Sequence, residues 1–113
     1  MNFPLKIIGL HSRTMDTNYS TPLHSHQFYQ WYYVNEGAIK YWTNYGEYVL
    51  KANDSILVAP GVFREVFNVG EIVNYFVISF EVSDISIPNF KVQLFHLGPS
   101  LRNEAAVLNK EIL

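Results

Sequence analysis

Short apolar blocks broken by turn residues fill most of the chain. Residues 28–34 (FYQWYYV) are rich in aromatic and β-branched types, and Asn35-Glu36-Gly37 follows as a turn signal. A second strand is predicted over 38–43 (AIKYWT), with Asn44-Tyr45-Gly46 as the next turn. Further strands are expected over 47–50, 55–59 (SILVA), 64–67 and 72–82, separated by Asn53-Asp54, Pro60-Gly61 and Asn68-Val69-Gly70. Turns at roughly ten-residue intervals predict an all-β sandwich or barrel. The end of the chain has a different period. Gly98-Pro99 stops the β pattern and Ser100 is a helix N-cap candidate. Leu101, Ala105, Leu108 and Ile112 then mark one face of a C-terminal helix.

A chain of 113 residues has room for one domain. Its organisation is expected as an N-terminal arm and first strand over 1–21, a barrel over 22–97, and the start of a helical region over 98–113. Hydrophobic residues make up 49%, which excludes disorder, and charged residues only 16%, against about 25% in an average globular protein. Part of so uncharged a surface is expected to be covered. Both faces of the 28–34 strand are aromatic, so one needs a cover beyond the barrel interior: the C-terminal helix or a partner subunit. The net charge of −2 argues against direct nucleic-acid binding. Without cysteine there is no disulfide framework, thiolate metal site or thiol nucleophile. The N-terminus lacks a signal-peptide pattern, and the 72–82 stretch is too short and too polar for a membrane span. A soluble, cytoplasmic domain is expected, with no membrane partner.

Candidate chemistry centres on His24 and His26. In an extended segment, residues two apart point to one face, so the two imidazoles start a ligand set. Gln30 has the same parity, but a neutral amide is a poor ligand for zinc or iron. Tyr32 follows on that face with a ring and a hydroxyl. Arg64 offers a planar fork suited to a carboxylate, phosphate or vicinal hydroxyls. If 35–37 closes a hairpin, Gln30 faces Trp42, and Trp42 and Lys40 point inward; a slip of one residue turns both outward. His11 and His96 have no partner pattern and read as structural or surface residues.

The spacing His24-x-His26, Gln30, Gly37 resembles the first motif of the cupin superfamily, with Gln30 where that motif has glutamate. Asn53-Asp54, SILVA, Pro60-Gly61 and Arg64 are similar to the second motif, with asparagine for its glycine and Arg64 for its histidine. Within the superfamily, the run from Leu23 to Phe67 and the later YFVISFEV resemble the N-terminal sensor domain of AraC-type transcription regulators. The resemblance implies a cupin-like double-stranded β-helix, a jelly-roll barrel, followed by a helix. It implies a small-molecule effector inside the barrel, sugar or sugar-acid like, held by His24, His26, Gln30, Tyr32, Trp42 and Arg64. It also implies a homodimer that reaches DNA only through a helix-turn-helix domain this chain does not contain. Only His24 and His26 remain of the metal-ligand set, and a guanidinium has no lone pair, so no metal and no other cofactor is expected. The competing class is a small stand-alone cupin enzyme, a metal-dependent dioxygenase or an isomerase, and the missing carboxylate ligand counts against it.

Overall fold

The computed structural model describes residues 5–16, 20–70, 72–82 and 90–96. Among these residues eight strands run in chain order: β1 (Leu5–Met15), β2 (Tyr29–Glu36), β3 (Ala38–Thr43), β4 (Gly46–Lys51), β5 (Asp54–Val58), β6 (Arg64–Asn68), β7 (Val73–Val82) and β8 (Val92–His96). The expected strands from β2 to β7 form within a residue or two of their predicted bounds. No helix occurs among the described residues, so none there is long and apolar enough to cross a membrane. The expected helix over 101–112 lies outside the described residues.

All ladders are antiparallel. One sheet has five strands in the order β1-β7-β2-β5-β8, the other three in the order β4-β3-β6. Residues 20–24 extend the smaller sheet beside β6. Isolated bridges join Ser20 to Phe67 and His24 to Arg64, and Thr21 N–H donates to the Val66 carbonyl at 2.9 Å. The sheets close on an apolar interior through alternate residues of each strand. Tyr32, Val34, Ile56, Val58, Val73, Tyr75 and Val77 come from the larger sheet, and Ile39, Tyr41, Leu50 and Val66 from the smaller. This is the two-sheet barrel the strand pattern implied.

The 35–37 turn departs from expectation. β2 pairs with β5 and β7, while β3 pairs with β4 and β6, so no β2–β3 hairpin forms. A bulge between Val34 and Glu36 and the positive φ of Gly37 (82°) carry the chain from one sheet to the other. Trp42 and Lys40 therefore turn outward. On β3 the buried positions are Ile39, Tyr41 and Thr43, not Lys40 and Trp42. β1 takes up much of the segment expected as an N-terminal arm and first strand, with Arg13, Thr14 and Met15 still paired with Tyr75, Asn74 and Val73.

Candidate functional site: a cationic cavity at one end of the barrel

A cavity of about 430 Å³ opens between β1, the 20–28 segment, β2 and β7. Its polar lining among the described residues is His11, Arg13, Thr21, His24, His26, Gln30, Tyr32, Tyr75 and Ser79, with no carboxylate among them. β2 supplies Gln30 and Tyr32 from its inner face. The register places Ser79 opposite Gln30 and Val77 opposite Tyr32, and β1 adds His11 and Arg13 beside Val77 and Tyr75.

Four of the six residues expected at the site line this cavity: His24, His26, Gln30 and Tyr32. The histidines come together on an irregular segment held at both ends, not on a regular strand. His24 exchanges two backbone hydrogen bonds with Arg64, at 2.9 and 3.0 Å, and Gly61 N–H donates to the His26 carbonyl at 2.8 Å. The rings meet edge to face at 4.8 Å between centroids, and His26 stacks on Phe28 at 4.7 Å. Nδ1 of His24 lies 2.8 Å from the Pro22 carbonyl, where it donates if protonated. Burial pushes the His26 pKa down, and the charges of Arg64 and His24 push the same way. Burial and Arg13 likewise lower that of His11.

Gln30 is buried and its amide is committed. Tyr32 Oη donates to Gln30 Oε1 at 3.0 Å, and Gln30 Nε2 donates to Ser79 Oγ at 3.0 Å. Burial raises the Tyr32 pKa, although Arg64 works against it, so Tyr32 remains a neutral hydroxyl. Tyr41, behind Tyr32, is raised well above 10 by burial and then by Tyr32.

Arg64 is fully buried on the inner face of β6. It is not in the cavity lining, but its charge reaches His26 and Tyr32, which are. Its Nε and both terminal nitrogens complete no hydrogen bond, and neither does the neighbouring Tyr41 hydroxyl.

Trp42 lies apart from the cavity. It is half-buried on the outside of the smaller sheet, in a shallow cleft with Lys40, Glu47, Glu65 and Phe67. Lys40 pairs there with Glu47 at 2.9 Å. His96 meets Asp54 at 2.7 Å on the surface, as a surface residue should. His11, in contrast, belongs to the cavity, together with Arg13 and Ser79. Only the β1–β7–β2 register aligns these three with Gln30, and no local sequence signal announces it.

The metal site that cupins often carry does not fit these residues. Two imidazoles are adjacent, but the carboxylate position is an amide already engaged twice, and the last position is a buried cation. Among the described residues no three His, Cys, Asp or Glu side chains cluster as metal ligands.

The model of the AraC-like ligand binding domain matches residues 7–85, from within β1 past the end of β7. The chain belongs to the AraC-like ligand-binding domain family. Solved structures share its fold at low identity. YhaK from Escherichia coli superposes with a TM-score of 0.71 at 13% identity, over 83% of this chain and 44% of YhaK. ToxT from Vibrio cholerae, with an unsaturated fatty acid bound, gives 0.67 at 10% identity, over 99% of this chain and 48% of ToxT. A predicted oxalate decarboxylase from Thermotoga maritima gives 0.64 at 19% identity, over 68% of this chain and 69% of that one. The AraC-like domain thus spans about half the length of ToxT. No curated protein matches the chain significantly.

Proposed function

We propose that this AraC-like domain is the effector-binding and dimerisation part of a cytoplasmic transcription regulator, and that it is not an enzyme. Its effector is a small polar metabolite, sugar or sugar-acid like, bound where His24, His26, Gln30 and Tyr32 converge. The observation that carries this reading is the cavity itself. It has the size of a metabolite site, an apolar frame from Val77, Phe28 and Pro22, and a few oriented polar groups. Two of the ToxT structures hold acids, an unsaturated fatty acid and a substituted butenoic acid, which supports an effector-binding role for this fold.

The mechanism is a population shift. A ligand in the cavity touches β1 and the 20–28 segment as well as β2 and β7, so it ties the N-terminal part of the chain to the larger sheet. A state in which those parts are docked is favoured by its differential affinity. The regulator passes that shift through its homodimer to a helix-turn-helix domain outside this sequence, which makes the DNA contact. A stand-alone cupin enzyme is the weaker reading, because Gln30 and Arg64 occupy the positions where metal chemistry needs a carboxylate and an imidazole.

Thermal unfolding of the 113-residue chain against sugars, sugar acids and divalent metals tests this proposal. A ligand of the folded state raises the midpoint as its concentration passes Kd. The expected outcome is a rise with a sugar or sugar acid that Gln30→Leu weakens by about tenfold, as loss of a buried hydrogen-bonding partner does. A rise only with iron, manganese or zinc, reversed by a chelator, would overturn it.

A further inference from the structure

Arg64 is the one charged side chain among the described buried polar residues, and it is fully buried. Its position is dictated by the fold. Its backbone is clamped between Thr43 of β3 and His24 of the 20–24 segment. Strand alternation puts its side chain on the inner face with Val66. A buried guanidinium normally has a carboxylate or several carbonyls on its five N–H donors, because an uncompensated charge in a protein interior is strongly disfavoured. Here all three nitrogens lack a hydrogen-bond partner. Polar groups that feel its charge include His26, Tyr32 and the neighbouring Tyr41 hydroxyl, none of which is an anion at neutral pH. The adjoining cavity is lined by Arg13 and three imidazoles, with no carboxylate among its described lining residues. Among the described residues, Arg13 lines a metabolite-sized space, Arg64 lies close behind its wall, and no carboxylate faces it.

We infer that the effector is an organic oxyanion, a carboxylate- or phosphate-bearing metabolite, and that its charge is the counter-charge of Arg64. This deepens the effector-binding reading and rests on it. The His24–Arg64 bridge then has a second consequence. An anion drawn toward the guanidinium sits against the segment that carries His24 and His26, so ligand charge and the docking of residues 20–26 are coupled. Neutral sugars, in contrast, would leave the guanidinium uncompensated.

Arg64→Met removes the charge and keeps an unbranched apolar stem in place of the arginine methylenes. The full chain and this variant are compared by thermal unfolding at constant ionic strength. The probes are acetate and inorganic phosphate against chloride, then gluconate and glucose 6-phosphate against glucose. The expected result is that oxyanions raise the wild-type midpoint, glucose does not, and R64M loses at least tenfold in apparent affinity for every oxyanion. The acid and phosphate arms show which head group is taken. A further expectation concerns stability without ligand. R64M should melt at or above the wild-type temperature, since it loses a charge that has no partner.

Three outcomes overturn the inference alone. One is an equal response of both proteins to every oxyanion. Another is an R64M midpoint well below wild type without ligand, which makes the guanidinium a structural group held by the Tyr32 and Tyr41 rings. The third is a response to glucose that persists in R64M and is lost in Gln30→Leu; it leaves the effector-binding reading standing and removes only the anion. No response to any compound, charged or neutral, sinks both.

Discussion

Three imidazoles share the cavity with Arg13, and Arg64 stands close behind its wall, so protons and arginine charges compete there. His11 and His26 are both held below the usual histidine value of 6.5, chiefly by burial and then by Arg13 and by Arg64 with His24, respectively. The folded state thus resists protonation more than the unfolded chain. As pH falls through about 6.5 the unfolded chain takes up protons first, and stability falls wherever the unfolded state binds more of them. Stability from these two groups is complete above that pH and declines below it. The unfolding midpoint is expected to drop between pH 7 and pH 5.5, with a shallower drop in His26→Gln. In Arg64→Met the His26 ring, followed by NMR titration, should protonate at higher pH than in wild type, because one of the charges opposing it is gone. An unchanged His26 titration in that variant would show that the guanidinium does not act on the cavity wall. Much of this site was readable from residue types: His24, His26, Gln30 and Tyr32 share one parity, and all four line one space. Ser79, His11 and Arg13 were not readable, because each enters through strand pairing with a distant part of the chain.

At the scale of elements, Gly37 shows why turn chemistry is easier to predict than topology. Asn35-Glu36-Gly37 is a turn as its composition says, but it is a corner between two sheets instead of a hairpin. A β-carbon at Gly37 would lie 2.7 Å from the Ile72 carbonyl oxygen and 3.0 Å from the Val73 Cα, both backbone atoms of a neighbouring chain segment. Gly61 has a similar φ, 83°, but nothing within 4 Å of such an atom. Gly61→Ala should therefore cost only the left-handed strain, about 1 kcal/mol. Gly37→Ala adds the backbone clash and should cost about 3 kcal/mol, a fall in midpoint of about 10 °C or more for a domain of this size. Equal midpoints for the two variants would show that the corner relaxes freely. Asn53 illustrates the opposite case. The resemblance to cupins has glycine there, and asparagine still reaches a φ of 76°, because it tolerates that region better than other side-chain-bearing residues. Its Oδ1 also accepts from Tyr33 Oη at 2.8 Å. The strand blocks from 28 to 82 were legible because their β-branched and aromatic runs end at glycine, asparagine or proline. Two features were not. β8 follows Pro88-Asn89 but is a short block that was not among the expected strands, and the hairpin register assumed for Trp42 needed a ladder that the bulge at 34–36 prevents.

At the scale of the molecule, the described residues form two apolar layers, and only one lies between the sheets. On the outer side of the larger sheet, Tyr33 and Phe76 are buried, Trp31 and Ile78 are half-buried, and Leu5, Ile7 and Phe95 are exposed. Trp31 meets Phe76 edge to face at 5.6 Å, and Leu5, Ile7, Trp31, Leu57, Ile78, Phe80 and Phe95 line one groove. The aromatic odd face of the 28–34 block signalled this layer in the sequence, since a strand with a solvated face alternates and this one does not. The groove and the cationic cavity lie on opposite faces of the same β2–β7 ladder: Trp31 and Ile78 point one way, Gln30 and Ser79 the other. Perturbing the outer layer should thus leave the proposed effector site intact. If the proposed homodimer uses this groove, Ile7→Glu, an exposed β1 position, places a charge in it without entering the barrel interior. Sedimentation velocity of wild type is then expected to show a dimer at micromolar concentration and Ile7→Glu a monomer, with the ligand-induced rise in midpoint retained. A variant that keeps the wild-type mass would move the dimer contact elsewhere. A variant that becomes monomeric and also loses the ligand response would mean that the two faces of the ladder are coupled, and that association is part of how the effector is read.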